Sequence, residues 1–186
     1  MSMKSSLLVL AFLTVAVAQA SAQENTQAQM CANAPVMAAP TGEAKNRMMS
    51  DDAEVADRIG VTKKMIKPEQ AIAAQVVLQA GLLHHGAVEY RRSSTPASLH
   101  TRMAEFFYVL DGEADLILGG TLINPRCVNS SNLVGDGVKG GVTYHVKKGT
   151  YILVPENTVH YFINIDKKQG MTVLDLHVPS PAPDQF

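Results

Sequence analysis

The sequence predicts an all-β fold, a barrel or two-sheet sandwich preceded by one or two short helices, and three observations lead there. Beyond residue 75 the chain divides into eight short runs rich in β-branched and aromatic residues, at 76–78, 87–91, 106–110, 114–118, 142–146, 151–154, 160–165 and 171–178. Turn residues separate them, most clearly Asp111-Gly112 and Gly119-Gly120. Evenly spaced short strands with turn signals between them are the mark of a sandwich or barrel. The region 124–141 carries Pro, Asn, Ser and Gly without hydrophobic alternation, and is expected to be one long loop over a barrel end.

From the N-terminus, Lys4 precedes an apolar run over residues 7–18, closed by the small-residue triplet Ala20, Ser21 and Ala22. That order reads as an export signal cleaved after Ala22, and the run is too short to span a membrane. Residues 23–48 follow as a leader; over 23–41 it is mostly Ala, Gln, Asn and Pro, a composition that buries too little to offset the entropy of ordering and predicts flexibility. One domain is expected over 49–186, with its core at about 76–180.

Ser50, Asp51 and Asp52 can cap a short helix over 53–59, with Gly60 as its exit. Pro68 and Glu69 suit the first turn of a second helix ending near residue 75. Asp111-Gly112 suits a tight hairpin between the third and fourth strands, and Gly119-Gly120 ends the fourth.

Charge narrows the partners. The chain has 16 basic and 17 acidic residues; without Lys4 the mature part is net −2, with no basic cluster, so nucleic acid is not an expected partner. The two cysteines, Cys31 and Cys127, would be free to pair in an oxidising compartment, and two unpaired thiols are the alternative. Neither lies in a thiolate zinc pattern.

The most specific pattern is GTYILVPENTVHYFIN, in which Gly149, Pro155, His160 and Asn164 hold fixed spacings. It resembles the second motif of the cupin family, G-x5-P-x-G-x2-H-x3-N, with Asn157 in place of the internal glycine; asparagine also tolerates positive φ. In SLHTRMAEFFYVLDGE, Glu105 and Gly112 match the spacing of the first cupin motif, and His100 stands where its second histidine would be. Ser98 occupies the place of the first histidine, which is a departure. The resemblance covers about residues 88–178 and implies a cupin jelly roll, a double-stranded β-helix barrel.

The resemblance also implies a divalent transition metal (Fe, Mn, Ni or Zn) held by His100, Glu105 and His160. Strand alternation places His100 and Glu105 on opposite faces unless a bulge or turn intervenes over 101–104. Each candidate has a plainer reading: a hydrogen-bonded core histidine for His160, a wet strand end for Glu105. Phe162 and Asn164 share His160's face and, with Phe107, are candidates to line a pocket.

His177 could line the barrel beside Val173 and Asp175, although Leu174 and Leu176 look more like core, which would leave His177 in solvent. His84 and His85 are further candidates for a fourth ligand; His145 reads as surface, and Arg91, Arg92 and Arg102 as solvated charges. No residue is assigned a catalytic role.

Three functions follow from the family pattern. The first is a metal-dependent enzyme acting on a small organic molecule, as a dioxygenase, isomerase or decarboxylase. The second is a non-catalytic binder of a small ligand, a sugar or an aromatic, in the cell envelope. The third is a storage role. The expected location is periplasmic or extracellular, and open strand edges favour a homodimer.

Overall fold

The computed structural model describes residues 27, 29–31, 33–35, 46–81 and 84–180; the export signal lies outside them. Among the described residues are a 14-residue helix, α1 (Asp52–Met65), and thirteen strands: β1 (Ile72–Ala80), β2 (His84–Arg91), β3 (Ala97–His100), β4 (Met103–Asp111), β5 (Glu113–Leu118), β6 (Thr121–Ile123), β7 (Arg126–Asn129), β8 (Asn132–Gly135), β9 (Gly137–Lys139), β10 (Val142–Lys147), β11 (Tyr151–Val154), β12 (His160–Ile163) and β13 (Met171–Pro179). Two antiparallel sheets form the all-β jelly roll, in the orders β1-β2-β13-β4-β11 and β10-β5-β12-β3-β8-β7, with β6-β9 as a small third sheet.

Helix α1 starts where expected, because the Asp51 carboxylate accepts a hydrogen bond from the Glu54 amide at 2.9 Å. It does not end at Gly60. It runs five residues further and stops at Ile66, whose φ of −66° and ψ of 124° are extended. Pro68 explains that stop, since a proline ring would clash with the carbonyl four residues back. The second helical turn is absent: the Gln70 amide donates to the Lys67 carbonyl in a turn, and β1 begins at Ile72, where strand pairing along β2 satisfies the backbone instead.

Two further expectations change. Asp111-Gly112 is not a hairpin, because β4 and β5 belong to different sheets. Gly112, at φ 77°, turns the chain through a corner between them, and a Cβ there would collide with the backbone carbonyl of Gly170. The expected loop 124–141 contains β7, β8 and β9. These strands were hidden because they are three or four residues long and β7 buries only its last residue, so no alternation shows.

One core lies between the two main sheets, built on Phe107, Val109, Leu116, Ile152, Phe162, Met171 and Val173. A second lies on the outer side of β3, where Ala97 and Leu99 pack with Cys31, Leu122, Leu133 and Val159. The described part of the leader covers this face. Gln27 exchanges two hydrogen bonds with the Leu122 backbone, at 3.0 and 2.9 Å, and Cys31 is disulfide-bonded to Cys127 across 96 residues.

Candidate metal centre

Alternation along β3 decides where His100 points. Ala97 and Leu99 are fully buried in the outer core, so Ser98 and His100 face the space between the sheets, where both line a cavity of ≈ 200 Å³. The chain then bends at Thr101 and Arg102 and enters the opposite sheet as β4. This crossing removes the parity conflict: His100 looks in from one sheet and Glu105 from the other. His160 opens β12 beside β3, paired with Ser98, after a turn in which Asn157 takes φ 58°.

Glu105 is the centre of the cluster. Its carboxylate lies 3.1 Å from His160 Nε2, 3.4 Å from His177 Nε2 and 3.5 Å from His100 Nε2. Glu105 and His160 are 5% and 6% exposed, yet Glu105 Oε2 and His160 Nδ1 have no hydrogen-bond partner. Close approach without hydrogen-bond geometry leaves a buried acceptor that a cation would satisfy, so the residues fit a metal. Ligand atoms of His100, Glu105 and His160 all lie within 4.8 Å of one another. The Asn132 Oδ1 atom sits 2.6 Å from His100 Nδ1; an amide oxygen only accepts, so Nδ1 carries the proton and the Nε2 lone pair is turned toward Glu105.

Electrostatics show what the cluster costs without a cation. Burial, reinforced by repulsion from Asp175, pushes the Glu105 carboxyl up to about 8. Burial, with His100 and Arg91 nearby, pushes His160 down to about 3, and burial also lowers His100. His177 goes the other way: burial opposes its charge, but the hydrogen bond to Asp175 and the surrounding carboxylates hold it above its ordinary value. Each shift follows from taking a charge out of water or placing it beside another.

The last strand decides between the two readings of His177 in favour of the cavity wall. On β13 it is Asp175, 2% exposed, that faces inward with His177, whereas Leu174 and Leu176 take the outer face, where Gly86 leaves room for Leu176 beside Leu78. His177 lines the cavity, donates from Nε2–H to Asp175 Oδ2 at 2.8 Å, and has the His85 ring against it with centroids 4.2 Å apart. His84 is exposed.

Arg91, read as a solvated charge, is 8% exposed, bound to Glu89 at 2.6 Å and stacked over the Phe162 ring at 4.8 Å. Period-two alternation puts His85, Ala87, Glu89 and Arg91 on one face of β2, but nothing in their largely polar character marks that face as the inner one.

Of the pocket candidates, Phe162 and His177 line the cavity. Phe107 does not: fully buried, it stands behind the site with its ring edge-on to Phe162 at 5.4 Å. Asn164 does not either, because β12 ends at Ile163, Asn164 turns out of line at φ 55°, and its exposed side chain donates to Asp115 at 2.8 Å. His145 is exposed, 3.1 Å from Asp115.

A family model described as Cupin matches residues 76–184, more than half of the chain. The chain belongs to the cupin family. No curated protein matches this cupin. Among solved structures, the cupin is similar to KdgF from Halomonas sp. at 16% identity and a TM-score of 0.44, over 65% of this chain and 91% of that one. It is similar also to the Cnp3 cupin domain of Schizosaccharomyces pombe at 13% and 0.44, over 63% and 72%. Pac13 of Streptomyces, a nucleoside dehydratase, gives 15% and 0.41, over 62% and 76%. Likeness at this level carries no argument about what this cupin does.

Proposed function

We propose that this cupin binds one divalent transition metal through His100, Glu105 and His160 and is a metal-dependent enzyme acting on a small organic molecule. The observation that carries the reading is the buried Glu105 carboxylate, approached by imidazole nitrogens to within 3.1–3.5 Å but left with an oxygen that makes no hydrogen bond. Two histidines and one carboxylate suit Fe, Mn, Ni or Zn. The ion would supply Lewis-acid polarisation of a substrate oxygen to an isomerase or decarboxylase, and a redox-active centre to a dioxygenase.

The chain's own residues would do the rest. Asn132 holds His100 in the ligating tautomer, and Phe162 offers an apolar wall. The paired Glu89 and Arg91 place polar atoms along the cavity without net charge. A volume of ≈ 200 Å³ is below the roughly 300–1,000 Å³ of pockets for drug-sized ligands and favours a smaller molecule.

The test is elemental analysis of purified protein. Wild type should carry at least one metal ion per chain, His160→Ala should carry fewer than wild type, and Glu105→Gln should weaken retention; unchanged occupancy in His160→Ala removes His160 from the site. A non-catalytic binding role has one observation in its favour: the polar wall groups are already engaged, Arg91 with Glu89 and His177 with Asp175. Chelated protein that still binds a member of a panel of sugars and aromatic acids, with no turnover when metal is restored, would select that reading.

We infer export from the N-terminal pattern, with the Cys31–Cys127 disulfide in support, since such bonds persist in oxidising compartments. Intact-mass measurement on protein from the host envelope should find Gln23 as the first residue; a retained Met1 would reject the inference. A homodimer through β11 is supported by its place at a sheet edge and by the exposure of Tyr151 and Leu153. Light scattering should return twice the chain mass, and a monomer mass at high concentration would reject the dimer.

A further inference from the structure

We propose a second cation position in the same cavity, formed by Glu105, Asp175 and His177, so that the Glu105 carboxylate bridges two divalent ions. The proposal rests on the metal reading above and extends it. Ligand atoms of these three residues lie within 4.8 Å of one another, as those of His100, Glu105 and His160 do, and Glu105 belongs to both groups. Its two oxygens face different neighbours, although Oε1 is shared, lying 3.5 Å from His100 Nε2 as well as near His177. Oε2 is the one near His160, at 3.1 Å, and Oε1 the one near His177, at 3.4 Å.

Strand geometry builds the second position. Asp175 and His177 are two residues apart on the inner face of β13, and His177 stands directly across from Glu105 of β4. The His85 ring packs against His177 and limits its rotation.

Charge and hydrogen bonding give the independent pointer to a ligand. Asp175 is 2% exposed, and its Oδ1 has no hydrogen-bond partner although the residue lines the cavity. Arg91, the one arginine or lysine lining the cavity among the described residues, is engaged by Glu89. Two buried carboxylates, Glu105 and Asp175, therefore share one space with no lysine or arginine between them. A cation at the first position satisfies Glu105 Oε2 and leaves Asp175 Oδ1 as it is; a cation at the second would satisfy Asp175 Oδ1 and draw on Glu105 Oε1. Carboxylate-bridged pairs of ions clamp the attacking and leaving oxygens of a substrate, so a two-ion centre would favour hydrolytic or hydration chemistry on an oxygen-rich molecule. The competing arrangement is a protonated His177 paired with Asp175 and no second ion.

The test strips the full-length mature protein with chelator and titrates it with Mn²⁺. Bound metal is counted per chain by elemental analysis, and coupling is read by electron paramagnetic resonance. Wild type should saturate at two Mn²⁺ per chain with an exchange-coupled signal. Asp175→Asn, nearly isosteric, should hold one with an uncoupled signal, and His160→Ala should also hold one. Thermal melting monitored by circular dichroism verifies that each variant is folded. Saturation of wild type at one Mn²⁺, lost in His160→Ala and kept in Asp175→Asn, overturns the second position and leaves the proposed function standing. No bound metal in wild type, with Zn²⁺ titrated in the same way as Mn²⁺, overturns both.

Discussion

Glu105 and His160 titrate in opposite senses, and the metal-free protein should show it. Glu105 has a folded value of about 8 against an ordinary 4.5, so its stabilising contribution is complete below 4.5 and is lost as pH rises through 8. His160 has a folded value of about 3 against 6.5, so its contribution is complete above 6.5 and is lost as pH falls through 3. Between 4.5 and 6.5 the two proton counts cancel; above 6.5 Glu105 acts unopposed by His160, and the raised His177 pulls in the same direction. Chelated protein should therefore lose on the order of 1–2 kcal/mol between pH 6.5 and 8. With metal present the ionised carboxylate is the ligand and the slope should vanish or invert. Melting temperatures with and without chelator decide it; a flat profile in chelator contradicts the burial argument.

The same scale separates what could be read early from what could not. His160 and Glu105 were legible because their spacing to Gly149, Pro155 and Gly112 is local. Asp175 was not: along LDLH alternation names two faces without saying which is inside, and hydropathy favours the leucines. Only a second sheet supplying His100 and His160 makes the aspartate's face the interior.

At the level of elements, most strands that were predicted exist, and the boundaries that moved did so for pairing reasons. β1 grew from a predicted three residues to Ile72–Ala80 because its backbone pairs along β2, whatever its side chains suggest. β11 runs from Tyr151 to Val154 as expected, since Gly149 and Pro155 bracket it. The Gly112 corner carries a prediction. At φ 77° with the Gly170 carbonyl against the missing Cβ, Gly112→Ala combines left-handed strain of about 1–2 kcal/mol with overpacking of about 1–3 kcal/mol. Urea denaturation should show a loss of about 2–5 kcal/mol with the slope unchanged, and a loss under about 0.5 kcal/mol would mean that the corner relaxes freely. Phe107→Ala, which empties the space behind His160, should cost about 3–5 kcal/mol in the same assay.

Over the whole molecule, the leader and the barrel are joined. Cys31, fully buried against Leu99 and Leu122, ties residue 31 to residue 127 across 96 positions, a closure that contributes about 4.7 kcal/mol in the chain-entropy model. Cys127→Ser should lower stability by about 2–5 kcal/mol and should speed amide exchange at Leu122, whose N–H is held by Gln27. Unchanged exchange there would show that the leader docks without the bridge. The sequence by itself determined the class of fold, the two motif segments and three residues worth testing, because turns and strand ends depend on φ preferences of single residues such as Asn157, Gly112 and Pro155. Tertiary structure alone decided that β3 and β4 lie in opposite sheets, that Asp175 and His177 join the cluster, that Asn164 leaves it, and that Cys31 meets Cys127. Those outcomes depend on which face of a strand another layer covers, and that is a property of the assembled sheets rather than of any local stretch of chain.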